Sequence, residues 1–478
     1  MAPNETQFCD HYMLLSPEDA SLYDLVHFLL FSTSETSRFI QRATKEEEED
    51  FWRRWYIFNS LLVQKLLIFW GKPMVLVGYI LELWLNLLSQ NGGFLMLFSN
   101  FLKGNVTWPD RSSATFTSVL GNLDPRVELD KSIKPGNRKY NASLSMMASK
   151  LAYENESFLQ TTIRDRWNME FLGFSNFWND YLGQPSTQAM MFQDTRAQPN
   201  LIVVAFRGTN PFDPVAWQTD VDLSWFKLEG VGKIHSGFMK ALGLQKDKGW
   251  PKELEQGSNQ RQFAYYAIRQ RLREILQKNK SAKFILTGHS LGAALAILFV
   301  TVLAIHEEAW LLEKLEGVYT FGQPRVGDKQ LGDYMKEKLK KYDVRHLRYV
   351  YCNDLVARIP YDDADDLFFE HWGPCLYYNS IYKGKVRQEE PNKNYFSLLW
   401  AIPKFVNAVW ELLRSFIIPY TKGPDYKESW LMKMVRVVGL VIPGLAAHSP
   451  QDYVNVTRLG SLALDLQNPI YQRASKFD

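Results

Sequence analysis

The hydrophobic pattern divides the chain into parts of different character. Residues 51–102 are a nearly continuous aromatic and aliphatic stretch, in which Arg53, Arg54, Lys65, Lys72 and Glu82 are the only charges and which Lys103 closes. Its densest piece is 73–88, about 16 residues. A membrane-spanning helix needs about 20 apolar residues. The run is therefore short unless it extends past Gly71 or through Asn91-Gly92-Gly93. A carboxylate such as Glu82 near the centre is costly in lipid. The pattern allows a span, a hairpin or interfacial insertion, or an ordinary buried helical pair.

From about Asp130 the pattern changes. Four short apolar runs read as strands buried on both faces: LIVVAF at 201–206, FILT at 284–287, VYTF at 318–321 and LRYVY at 347–351. Helical stretches lie between them, including 262–278 and 293–306. This alternation predicts an α/β fold with a mostly parallel sheet flanked by helices. A second apolar block, 395–420, is interrupted by Lys404, Glu411 and Arg414 and punctuated by Pro403 and Pro419. It reads as an amphipathic helix rich in Trp and Phe, and 430–445 is a shorter third block. The predicted organisation is an N-terminal region, 1–130, with lipid-contacting helices at 51–102. A larger α/β domain, 131–478, carries an apolar insertion at 376–440. No repeat period and no Gly/Ser linker interrupts this.

Composition narrows the class. At 478 residues with 46% hydrophobic and 22% charged, the chain is globular rather than disordered. Lys and Arg total 55 against 52 Asp and Glu, a net +3, which argues against a nucleic-acid partner. Three cysteines without a CxxC pattern exclude a disulfide scaffold and suggest no metal. No basic region leads into an apolar run at residues 1–10, so no secretory signal is expected, and the sequons at Asn105 and Asn141 read as chance matches. The acidic run Glu46, Glu47, Glu48, Glu49, Asp50 reads as a solvated helix start. The outlier is aromatic content, 14% in a chain of ordinary polarity.

The sharpest chemical signal is Gly288-His289-Ser290-Leu291-Gly292. It follows the predicted strand FILT and precedes a small-residue helical run, the context of a nucleophile elbow. Gly288 and Gly292 allow a tight turn and close helix–strand packing. A serine hydroxyl needs a base, and the base needs an orienting carboxylate. In chain order Ser…Asp/Glu…His, Asp354 fits, 64 residues on from Ser290 and just after LRYVY. Asp362, Asp363, Asp365 and Asp366 compete, but their clustering suggests a solvated loop. Among later histidines, His306 is about four turns down the helix after Ser290, and His346 precedes the Asp354 strand. His371 and His448 both remain open as the base. For an oxyanion hole, one N–H would come from Leu291 and the other from Thr209, after the strand 201–206.

Taken together these residues resemble a known family. Ala205-Phe206-Arg207-Gly208-Thr209, His235-Ser236-Gly237-Phe238, the Ser290 pentapeptide, Phe321-Gly322-Gln323-Pro324-Arg325-Val326-Gly327 and Asn353-Asp354-Leu355-Val356 are similar to motifs of the fungal-type class 3 lipases, an α/β-hydrolase family. The resemblance spans about 148–448. With the N-terminal apolar region and the Trp-rich insertion, the whole chain looks like a plant oil-body triacylglycerol lipase. The resemblance implies Ser290 as nucleophile, Asp354 as orienting acid, His448 as base, and Thr209 with Leu291 at the oxyanion hole. It demotes His371 to a structural position. It also implies a lid at about 210–218, with Trp217 as its apolar contact. The 94 residues from Asp354 to His448 exceed what the fungal pattern leads one to expect.

The implied activity is hydrolysis of triacylglycerol and other acylglycerols at an oil–water interface through an acyl-enzyme, without metal or organic cofactor. The implied location is the lipid-droplet monolayer or a membrane, with the endoplasmic reticulum as a second site. A phospholipase A1 or galactolipase on the same fold is the nearest alternative. A non-catalytic lipid-droplet scaffold is the alternative from another class.

Overall fold

The computed structural model describes residues 8–31, 38–42, 51–246, 248–254, 261–360, 369–395 and 398–462. The acidic run 46–50 and the carboxylates Asp362, Asp363, Asp365 and Asp366 lie outside the described residues. In chain order the strands are β1 (His11–Leu15), β2 (Ile40–Arg42), β3 (Glu170–Asn179), β4 (Gln184–Asp194), β5 (Leu201–Phe206), β6 (Trp225–Leu228), β7 (Gly232–His235), β8 (Lys283–His289), β9 (Leu315–Phe321), β10 (Arg345–Tyr351), β11 (Cys375–Tyr378), β12 (Lys383–Arg387) and β13 (Ser461–Leu462).

The main sheet has nine strands in the order β13-β12-β11-β10-β9-β8-β5-β4-β3. Its centre, β5-β8-β9-β10-β11, is parallel, and β3, β4 and β12 join antiparallel. The continuous apolar run of β5 is explained by burial on both faces. Ile202, Val204 and Phe206 enter one core, with the helix Leu291–Ile305 behind it. Leu201, Val203 and Ala205 enter the other, with Tyr453 and the helix Tyr140–Leu151. Period-two alternation of a strand thus feeds two cores at once. This is the α/β architecture expected, and all four predicted strands lie in its parallel centre.

The N-terminal region is woven into the rest of the chain. A second sheet, β2-β1-β6-β7, pairs β1 with β6 antiparallel, Tyr12 opposite Phe226. Met13, Leu25 and Leu61 share a core with Leu223, Trp225 and Phe369. The proposed boundary near residue 130 therefore does not separate two cores. Likewise the stretch 376–440 is only partly an insertion: β11 and β12 extend the main sheet, and the apolar helices are Ala401–Lys422 and Trp430–Val441.

The stretch 51–102 differs from its dense centre alone. One helix, Phe51–Gln90, runs for 40 residues through Pro73, and the break comes at Gly92-Gly93, before the helix Phe94–Leu102. Forty residues make about 60 Å, twice a bilayer core. It is the one helix among the described residues long and apolar enough to cross a membrane. It is no buried pair, because Phe69, Trp70, Val75, Leu76 and Ile80 face outward. Ile57, Gln64, Gly71, Gly78 and Leu85 form a buried stripe with a seven-residue spacing, close to two turns. One face of the helix therefore rests on the protein along most of its length. Glu82 is explained by that packing: it pairs with Arg111 at 3.1 Å.

Candidate active site

The site lies where the parallel strands end. Open α/β sheets collect functional groups at the carboxyl edges of their strands. β8 ends at His289, and Ser290 follows with φ 60 and ψ −133 before the helix Leu291–Ile305. A positive φ at a non-glycine residue is strained and persists only where packing enforces it. Gly292 shows the enforcement: a Cβ there would clash with the Phe206 carbonyl and stand 3.0 Å from the Arg207 carbonyl carbon. Gly288 meets the backbone of Gly292 in the same way. The helix therefore starts hard against the ends of β5 and β8. Leu291 is its first residue, so its N–H has no intrahelical acceptor.

β10 ends at Tyr351, and Asp354 follows, fully buried. The two Asp354 carboxylate oxygens each lie 2.9 Å from His448 Nδ1. Val356 N–H donates to Oδ1 at 2.8 Å, and the Tyr453 hydroxyl donates to Oδ2. The Arg358 guanidinium holds the Asp354 and Cys352 carbonyls from behind. Burial alone would raise the Asp354 pKa. The His448 charge and hydrogen bond and the Tyr453 hydroxyl outweigh it and hold the carboxyl below its ordinary value. With Nδ1–H donated to Asp354, the free lone pair of His448 sits on Nε2. That atom is buried and has no hydrogen-bond partner among the described residues.

His289 supports His448 from the side. Its ring stacks on the His448 ring at 4.5 Å, and its Nε2–H donates to the His448 carbonyl at 2.9 Å. The Tyr153 hydroxyl donates to its Nδ1 at 2.9 Å. Burial, with the neighbouring His448 charge, lowers its pKa to about 3. His289 thus stays neutral at working pH and places no second cation beside His448.

The structure brings Ser290, Asp354 and His448 to one sheet edge, with His289 beside them, and puts His306, His346 and His371 elsewhere. His371 Nε2 bonds the Ala357 carbonyl at 2.8 Å, and His346 bonds Gln323 at 3.3 Å. His306 lies at the far end of the helix, between Tyr265 and the Trp250 carbonyl.

Thr209 stands three residues past the end of β5. Its hydroxyl donates to Asp220 Oδ2 at 2.7 Å, and its N–H has no backbone acceptor among the described residues. Asp220 is fully buried, its Oδ1 has no partner among the described residues, and burial raises its pKa to about 7. An acid whose folded pKa is raised binds its proton more tightly folded than unfolded. Stability should then fall as pH rises from about 4 to about 7 and level off above. Asp220→Asn keeps an acceptor for Thr209 and removes this slope. Its melting temperature relative to wild type should rise between pH 5 and pH 8 in thermal scans; a constant difference would refute the assignment.

The stretch expected to form a lid, 210–218, is a loop leading into the helix Pro214–Val221. Trp217 is half-buried, and its indole N–H bonds the Pro211 carbonyl at 3.1 Å. This segment sits on the long helix. A Cβ at Gly78 would stand 2.5 Å from Phe212 Cβ, and one at Gly71 would stand 3.3 Å from Pro214 Cγ. Ser60 also donates to the Val221 carbonyl at 2.7 Å. Gly78→Leu should displace Phe212 and the loop behind Thr209. Overpacking of this kind costs about 1–3 kcal/mol, measurable by urea unfolding. Turnover of p-nitrophenyl butyrate should fall about tenfold, a loss of some 1.4 kcal/mol in barrier terms.

Tyr153, Asp220, Arg358 and Tyr453 escaped the sequence reading. Each acts through a tertiary contact, and no local motif marks it. The nearest signal is Tyr453, one turn into the helix Pro450–Leu459 that follows His448.

The chain is similar to known proteins. A family model for lipase (class 3) matches residues 203–364. The chain is 39% identical to the triacylglycerol lipase OBL1 of Nicotiana tabacum, over 94% of each chain. It is 42% identical to the triacylglycerol lipase OBL1 of Arabidopsis thaliana, over 87% of this chain and 86% of that one. Among solved structures, the Rhizomucor miehei triacylglyceride lipase aligns at 20% identity with a TM-score of 0.37, covering 51% of this chain and 79% of that one. Full-length relatives at this identity place the chain: it belongs to the class 3 lipase family of ester hydrolases.

Proposed function

We propose that the chain is a triacylglycerol lipase acting at the surface of lipid droplets, with Ser290, His448 and Asp354 as its triad. One observation carries the reading: a half-buried His448 held by the buried Asp354, its Nε2 unpartnered among the described residues, beside a serine on a strained elbow. The names of the full-length relatives support the substrate class.

His448 Nε2 takes the Ser290 proton as Oγ attacks the ester carbonyl. Asp354 holds the ring with Nδ1–H inward and stabilises the imidazolium. The oxyanion forms opposite the N–H groups of Leu291 and Thr209, whose hydroxyl is tied back to Asp220. His448 then gives its proton to the departing alcohol, and water repeats the sequence on the acyl-enzyme. None of these steps calls on a metal or an organic cofactor.

The long helix supplies contact with the lipid. Its outer face is apolar while its inner stripe rests on the protein, which suits a helix lying in an interface better than one leaving the protein to span. A droplet has a monolayer over oil, so insertion suffices. The near-neutral net charge leaves apolar insertion as the main attraction.

The test is fatty-acid release by the purified protein from emulsified triolein, phosphatidylcholine and galactolipid in parallel. Triolein should be the preferred substrate. Preference for either polar lipid would instead make the protein a phospholipase or galactolipase, and no release from any of the three would remove the catalytic reading.

A further inference from the structure

The helices Ala401–Lys422 and Trp430–Val441 are built inside out. A helix on a water-soluble protein turns its apolar stripe to the core and its charges to solvent. Here Lys404, Glu411, Arg414 and Ser415 face inward on the first helix, and Arg436, 1% exposed, faces inward on the second. Phe405, Trp410, Leu413, Phe416 and Ile417 face outward on the first, and Trp430, Met434, Val437, Val438 and Val441 on the second.

The inward charges close on one another. Arg436 makes two 2.7 Å bonds to Glu428 and reaches both oxygens of Asp452 at 3.2 and 3.1 Å. Arg414 donates to Asp452 at 2.8 Å and to the Tyr351 hydroxyl at 2.6 Å. Burying ions is costly even when they are paired. Such a pairing inside, with aromatic and aliphatic side chains outside, suits helices whose outer medium is itself apolar. Large exposed apolar patches mark a contact surface.

Two further features point to lipid as the occupant. Leu431, Met432 and Val435 of the second helix share one apolar cluster with Leu81 and Leu85 of the long helix, joined through the short helix Val119–Leu123, so the lipid-facing long helix is a near neighbour. The patch edge is basic: Lys422 and Lys427 are exposed, with Asp425 between them, and the Lys433 ammonium lies 4.3 Å from the centre of the Phe416 ring. Lysines at such an edge can keep their stems in the apolar layer and their heads among phosphates.

We propose that these two helices form a second lipid-docking surface, inserting their outer faces among the acyl chains of a phospholipid monolayer over neutral lipid. The proposal rests on the lipase reading above. It also gives the docked surface a fixed relation to the site. Asp452, held by Arg414 and Arg436, is in the first turn of the helix that follows His448, and its neighbour Tyr453 bonds Asp354.

The test uses the full chain carrying Ser290→Ala, so that lipid is not consumed. The three native cysteines, Cys9, Cys352 and Cys375, are all buried, so a cysteine introduced at Ile417 can be labelled selectively with an NBD fluorophore. On adding phosphatidylcholine-coated triolein droplets, its emission should shift to the blue and become shielded from iodide. A label at Glu337, on a helix packed against the opposite face of the sheet, should not respond. A label at 417 that stays in water while the protein floats with the droplets would overturn the proposal. So would failure to float, or a label already shielded without lipid in a dimer. As a second measure, the variant Phe405→Ser/Trp410→Ser/Phe416→Ser/Ile417→Ser should lose about tenfold in triolein hydrolysis while kcat/KM on soluble p-nitrophenyl butyrate stays within about twofold. Equal losses on both esters would point to a structural role instead. Wild-type hydrolysis of triolein with a water-exposed 417 label would sink the docking surface and leave the lipase reading standing.

Discussion

Ser290→Ala should lower kcat on emulsified triolein by about 10⁶-fold, the scale seen when the nucleophile of a serine triad is removed. That is about 8 kcal/mol of barrier. The loss should not extend to the fold. The φ of 60 at this position is imposed by the packing of the elbow helix against β5 and β8, which the substitution leaves intact. Among the described residues the Ser290 hydroxyl ties no buried group, so circular dichroism and the melting temperature should stay close to wild type. Residual turnover above the water rate should persist, because the substitution leaves the proposed oxyanion donors, the N–H groups of Leu291 and Thr209, in place. A variant retaining more than a hundredth of wild-type activity would require another nucleophile.

Asp354→Asn should cost about 10⁴-fold in kcat, the magnitude known for the corresponding change in a serine protease triad. The cause is the tautomer. Both carboxylate oxygens accept from His448 Nδ1–H. An amide can turn its NH2 group to Nδ1, which moves the ring proton to Nε2 and leaves no base facing Ser290. The variant should also change how stability depends on pH. The Asp354 carboxyl is held below its ordinary value of 3.8. Its contribution to stability is thus complete above that value and is lost as pH falls through the folded pKa. The gap in unfolding free energy between wild type and Asp354→Asn should narrow below about pH 4. Equal activity of the two proteins at pH 8 would remove Asp354 from the mechanism.

The parallel centre of the sheet and the elbow were legible in the sequence because their signals are local. LIVVAF is apolar at every position since both of its faces are buried, and G-H-S-L-G carries the steric demands of its own turn. Asp354 was legible through its place after a readable strand. His448 was not separable from His371 by order alone, because both follow Asp354 in loops. The fold separates them by giving His371 the Ala357 carbonyl and His448 the Asp354 carboxylate. The edge strands were missed. β3, with Gly173 and partly exposed residues, has weak alternation, and β13 has two residues. The small sheet was invisible because β1 finds β6 more than two hundred residues away. The length of the helix Phe51–Gln90 was underestimated because Gly71, Lys72 and Pro73 look like a stop. The helix continues through them, with Gly71 set against Pro214.

The aromatic content of 14% now has a physical location. Part of it stacks around the site, as with Phe321 on Tyr349 and Tyr351 on Tyr382. Part of it faces outward on the long helix and on the inverted pair, where Trp70, Trp410 and Phe416 meet the surroundings. The helix that seats Phe212 and Pro214 is the same one that presents Trp70 to the outside, so the proposed lipid contact and the loop contact share one element.

The most direct test of Ser290 as the nucleophile is the mass of the full-length protein after reaction with diethyl p-nitrophenyl phosphate. One diethylphosphoryl group per chain is expected, mapped to the peptide containing Ser290, with triolein hydrolysis lost in proportion to labelling and no adduct on Ser290→Ala. Stoichiometric labelling of another residue, or full hydrolysis by protein already modified at Ser290, would contradict it.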